Sequence, residues 1–96
     1  MIKILKLTTG EEIIGDVTGG DTITINRPCV LQMVPTSSNP NKIMMALIPY
    51  VEHVKSSSLD ISLDHIVWEG EPIEELYNQY NSIYGTGIQL ASSFLR

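Results

Sequence analysis

The sequence predicts a mainly β fold, a small and strongly bent five-stranded open barrel, followed by a C-terminal α-helix. Three observations carry that expectation. Short apolar runs with period-two alternation fill residues 1–70, separated by turns rich in Gly, Asp and Ser. A longer run, Thr22 to Val34, is interrupted by Pro28 and must bend or have a free edge there. After Gly70 the pattern changes to the stripe of an amphipathic helix. With 96 residues there is room for one core, divided here into the barrel (1–70) and the helix with its tail (71–96).

Each element has its own signal. Ile2, Ile4 and Lys6 point one way and Lys3, Leu5 and Leu7 the other, so the first strand is partly apolar on both faces. Thr8-Thr9-Gly10-Glu11 is a tight turn in which Gly10 can take a positive φ. The second strand, Glu12 to Thr18, contains Gly15, and an interior glycine marks a sharp bend or a close backbone approach. Gly19-Gly20-Asp21 turns the chain into Thr22 to Asn26, which alternates cleanly between Thr and Ile. Beyond Pro28, Cys29 to Val34 continues the long strand, and Pro35 to Asn41 is a loop. Ile43 to Val51 reads as a nearly continuous apolar strand, of the kind covered on both sides by core or by a partner chain. Lys55 to Ser58 is a loop, Leu59 to Leu63 alternates again, and His65 to Glu69 is a short final strand. Pro72 suits a first helical position, and Glu71, Glu74 and Glu75 suit a helix N-terminus. Ile73, Leu76, Tyr77, Tyr80 and Tyr84 form the apolar stripe, and Gly85 and Gly87 stop it. The tail Ile88 to Arg96 has no strong period and is expected to be frayed, or ordered only against a neighbour.

Composition excludes several classes. Eleven Asp plus Glu against six Lys plus Arg give a net charge of −5, which repels polyanions, so no duplex DNA is expected as a partner. Cys29 is the single cysteine, which rules out an intrachain disulfide scaffold and points to a reducing, cytoplasmic compartment. The N-terminus lacks the apolar run of a signal peptide. The longest apolar run contains Pro49 and falls well short of the ~20 residues of a membrane span, so no membrane partner is expected. A chain this small buries only ~60–65% of its unfolded surface, which makes oligomerisation the simplest further source of stability.

The segment Leu5 to Val17, then Asp21 and Thr22 to Asn26, resembles the first motif of the Sm-like family. Gly10, Gly15 and Asp21 stand where that motif has its turn glycine, its strand glycine and its turn aspartate. The likeness covers residues 3–34 and extends to short phage-encoded proteins similar to that family. It implies an SH3-type barrel and a homo-oligomeric ring of about five to seven subunits, closed head to tail by strand pairing. It also implies a single-stranded RNA-binding or RNA-handling role in a bacterial cell or an infected host. The family's Ile-Arg-Gly is absent after the fourth strand, where Val51 to Ser57 stands, and Thr24 and Asn26 lie nearest the place of its base-binding asparagine.

The residues themselves nominate the sites. For RNA, the candidates are Asp21, Thr24, Asn26 and Arg27 in one segment and His53, Lys55 and Ser56 in another. Asn and Thr read base edges, His stacks, and Arg or Lys meets phosphate. The bland reading is an Asx turn at Asp21 and a strand end at Asn26. For subunit contact, the candidates are Ile43, Met45, Leu47 and Tyr50 on one strand and Ile66 and Trp68 on the other, because an apolar edge invites a second strand. Trp68 is expected under the helix or between subunits. No catalytic constellation, metal-ligand spacing or phosphate-cradling loop stands out, so neither enzyme activity nor a cofactor is expected. Two other classes remain: a purely structural or protein-interaction oligomer, which the missing Arg-Gly and the acidic charge favour, and an SH3-like adaptor, which the scarcity of Phe and Trp disfavours.

Overall fold

The computed structural model describes residues 1–36, 38, 41–51 and 53–84. Six strands form one antiparallel open sheet: β1 (Ile2–Leu7), β2 (Glu12–Thr18), β3 (Thr22–Pro35), β4 (Ile43–Pro49), β5 (Ser58–Ser62) and β6 (Ile66–Gly70). A 3-10 turn, Leu63–His65, precedes β6, and one helix, α1 (Glu74–Tyr84), follows it. The strand order is β4-β3-β2-β1-β6, with β5 lying beside β3. The expected tail and the glycines meant to stop the helix lie outside the described residues.

The expected mainly β fold with a C-terminal helix is present, with six strands instead of five. The alternating segment expected at Leu59 to Leu63 stands as a strand of its own, β5, for a local reason. Pro49 ends β4, and Val51 at φ 51° turns the backbone out of the strand. The chain therefore leaves β3 after β4 and rejoins it as β5, so the two halves of β3 have different partners. Val34 pairs with Met44 in one half, and Ile23 pairs with Ile61 in the other. Tyr50 and Val51, expected in the fourth strand, lie beyond its end.

The bend in β3 is a β-bulge. Ile14 pairs with Cys29 and Asp16 with Asn26, so Arg27 and Pro28 together oppose Gly15. Arg27 takes φ 49°, and Pro28 has no N–H to offer the ladder. Gly15 is required because an added Cβ would stand 2.6 Å from the Ile25 side chain and 2.9 Å from the Asn26 carbonyl oxygen.

Alternation gives the sheet two apolar faces. One encloses the main core of Leu5, Leu7, Ile13, Val17, Ile23 and Ile25, edged by Val30, Tyr50, Leu59, Ile61 and Ile66. The other presents Ile2, Ile4, Ile14, Cys29, Leu31 and Leu47 to Leu76, Tyr80 and Tyr84 of α1. The helix begins two residues later than expected: the Ile73 carbonyl accepts the first helical bond from the Tyr77 N–H (3.0 Å), leaving Pro72 outside. Trp68 does not pack under α1. It is 46% exposed on β6, because the helix lies across β1 to β4.

The apolar strand β4 is not covered on both sides within the chain. Ile43 (63%), Met44 and Ile48 are exposed, as is Val67 on β6, and these two strands end the sheet.

Candidate functional site

The bulge in β3, the loop after β4 and the end of α1 enclose a groove of about 340 Å³. Its cations are Arg27 and Lys55, its flat surfaces Tyr50 and Tyr84, and its hydroxyl groups those of Ser56 and Ser57. Both non-glycine residues with positive φ among those described, Arg27 and Val51, line it. Such conformations cost about 1–3 kcal/mol each and persist where surrounding contacts hold them. Here the holding contacts are visible. The Arg27 N–H donates to the Ser57 carbonyl at 2.7 Å, and the Tyr50 N–H donates to the Pro28 carbonyl at 2.9 Å. The Tyr80 hydroxyl reaches the Arg27 carbonyl at 2.8 Å and the Asn26 carbonyl at 3.1 Å. A helix side chain thus donates to two backbone carbonyls at the bulge.

The Arg27 guanidinium lies 5.5 Å from the centre of the Tyr84 ring. The Tyr80 and Tyr84 rings sit 4.9 Å apart, and the Tyr84 hydroxyl is 3.2 Å from Cys29 Sγ. Among the described residues, no carboxylate forms an ion pair with Arg27 or Lys55, whereas Lys3 and Lys6 are paired with Glu69 and Glu12. The two groove cations are therefore available to an anion although the whole chain is acidic.

Burial sets the titration behaviour of this cluster. It pushes the Tyr80 phenol up to about 12 and the Tyr84 phenol higher still, and it raises the Cys29 thiol. The fold thus favours the protonated phenols. Their contribution is fully present below the ordinary phenol value of 10.0 and is lost as pH rises towards about 12. Urea midpoints followed by circular dichroism are expected to fall across that window. A midpoint that stays constant through it would contradict the burial of these phenols.

The structure brings Arg27, Lys55 and Ser56 together and leaves the other RNA candidates apart. Asp21 is exposed in the β2–β3 turn, and His53 is exposed in the loop after β4; neither lines the groove. Thr24 donates its hydroxyl to Asp60 at 2.7 Å, and Asn26 pairs with Ser58 in the sheet next to the bulge. The Ser56 hydroxyl accepts the Ser58 N–H at 3.1 Å, so it shapes its own turn. Of the subunit-contact candidates, Ile43 and Trp68 are exposed and Met45 is half-buried. Leu47 packs under α1, Ile66 packs on the main core, and Tyr50 turns inward with its hydroxyl donated to Glu11 at 3.0 Å. Those three serve the interior of the chain because alternation and the end of β4 direct them inward.

Sequence reasoning missed Tyr84 as a groove residue, although its helical spacing from Tyr80 and the bend at Pro28 were both visible. Among the described residues, no group of three or more His, Cys, Asp or Glu is placed to hold a metal ion, and no helix is long and apolar enough to cross a membrane. In sequence, the chain matches no family model and no curated protein.

Proposed function

We propose that this chain is the subunit of an Sm-like homo-oligomeric ring that binds single-stranded RNA in the Arg27–Lys55 groove. The observation that carries the RNA reading is the meeting, in one groove of a chain with net charge −5, of two tyrosine rings with two cations that no carboxylate pairs among the described residues. Cations meet phosphate and flat rings stack bases, a combination suited to a splayed single strand. The ring reading is supported by the sheet order, which ends on two different strands, β4 and β6, each with exposed apolar side chains. Pairing β4 of one copy with β6 of the next is heterologous, and such contacts close into a ring when the rotation allows, with about five to seven copies for a barrel of this kind. The strongly bent β3 and the glycine opposite the bend support the likeness to the Sm-like barrel.

The alternative is a structural oligomer without RNA. It is favoured by the engagement of Thr24 and Ser56 in bonds within the chain, and by the stretch after the fourth strand, Val51 to Ser57, which carries no Arg-Gly.

Titration of short uridine- or adenine-rich RNA against a preparation of known mass separates the two. Binding is expected to weaken with salt, and Lys55→Ala or Arg27→Ala should each flatten the log–log salt slope by about 0.7 per phosphate contact removed. An unchanged slope in both variants would move the site elsewhere. Absence of binding by the wild type would leave the structural oligomer.

A further inference from the structure

Resting on the ring reading, we infer that α1 is part of the subunit interface: the groove between α1 and β4 receives Trp68 of the neighbouring copy. This groove has a volume of about 460 Å³, and its walls include Ile43 and Met45 from β4, Leu76 from α1 and Ile73 just before the helix. The Gln79 amide donates to the Met45 carbonyl at 3.2 Å and ties the two walls together. Ile73 is 64% exposed although it sits beside the apolar strand, so the groove is open in the single chain.

The argument for Trp68 as occupant is one of faces. Trp68 lies opposite Lys6 on β1, and cross-strand partners project from the same side of a sheet. Lys6 alternates with Ile2 and Ile4, which pack on the helix side. Trp68 therefore stands on the side of the sheet that carries α1. On β4, Leu47 packs under α1, so Met45 and Ile43, two and four residues away, share that side. Extending the sheet by setting β6 of one copy against β4 of the next preserves both faces. Trp68 is then delivered to Met45 and Ile43, at the mouth of the groove.

Charge supports the same arrangement. An antiparallel register with Trp68 opposite Met45 places Glu71, just past β6, opposite Lys42, just before β4. Among the described residues, neither Lys42 nor Glu71 forms an ion pair within the chain. Pairing β6 with β6 would leave both Lys42 and the groove unused.

Trp68 is the single tryptophan, so its fluorescence reports this contact alone. In the assembled full-length protein, its emission should be blue-shifted and poorly quenched by acrylamide. On dilution, both signals should revert in step with the mass measured by light scattering. Trp68→Ala should weaken assembly by about thirtyfold or more, as loss of an aromatic anchor does. Lys42→Glu and Glu71→Lys should each weaken assembly, and the double variant should recover it, because both positions are exposed and the swap restores the pair. An assembled ring with a freely quenched Trp68 and no recovery in the double variant would overturn this contact while leaving the ring. A protein that is monomeric throughout would overturn both.

Discussion

Replacing Tyr80 by alanine is expected to cost about 3–5 kcal/mol, the range for removing a large buried aromatic side chain. Tyr80 is the one residue of α1 that is fully buried, and its ring packs on Ile14 and Cys29. Its hydroxyl donates to two carbonyls at the bulge, those of Asn26 and Arg27. The substitution removes both contributions at once: the apolar contact that docks the helix, and the donor that satisfies two backbone oxygens. Since small domains are stable by only about 5–15 kcal/mol, this is a large share of the total.

Two measurements separate those contributions. Tyr80→Phe keeps the ring and removes the donor, so it should cost about 1–3 kcal/mol, the penalty for an unsatisfied buried acceptor. Tyr80→Ala should also expose Cys29, which is 1% exposed in the native fold, and speed its reaction with a thiol reagent under native conditions. A cost for Tyr80→Ala below about 1 kcal/mol, with Cys29 still protected, would mean that the helix is held elsewhere.

The fold was legible where one physical cause dominates. In β1 and β2, alternation alone assigned Leu5 and Leu7 to one face and Ile4 to the other, and the structure keeps that division. The glycine inside β2 and the proline inside β3 announced a bend, and they meet at the same bulge. What alternation did not reveal was how the bend partitions β3 between two partners. That depends on Val51 adopting φ 51°, a conformation that a β-branched residue takes only when tertiary contacts impose it. For the same reason, the end of the fourth strand was placed two residues late.

The candidate site was half legible. Arg27, Lys55 and Ser56 were identifiable because cations and small polar residues flank a bend and a loop, and these are the three that the groove unites. Asp21 and Thr24 do not join them: Asp21 sits in the β2–β3 turn, and Thr24, three residues before Arg27, is engaged with Asp60 on the neighbouring strand. Tyr84 was invisible as a groove residue because helical spacing reveals which face is apolar but not where the helix ends relative to a loop. The exposed β4 edge shows the converse. Its apolar run was readable as a surface that needs a neighbour, yet which of its residues face outward depends on the position of α1.

Gly15→Ala is expected to destabilise the protein by about 1–3 kcal/mol, the cost of overpacking a closed site, and Gly15→Val by more. Local preference argues the other way, since glycine is a poor strand residue and either replacement is a better one. Geometry decides the sign. A Cβ at this position would stand 2.6 and 2.8 Å from atoms of Ile25, a fully buried core side chain, and 2.9 Å from the Asn26 carbonyl. Ile25 has no free volume to retreat into, and the Asn26 carbonyl is held by Tyr80. Relief can come only by reopening the bulge, which moves Arg27 and with it the wall of the groove. The variant should therefore lose RNA affinity as well as stability, although Gly15 does not line the groove. Gly70→Ala is the matched control, because a Cβ there meets nothing within 4 Å, and its effect on the urea midpoint should stay within about 0.5 kcal/mol. If Gly15→Ala were as mild as Gly70→Ala, the bend of β3 would not depend on close approach at Gly15, and the link between the core and the groove would be broken.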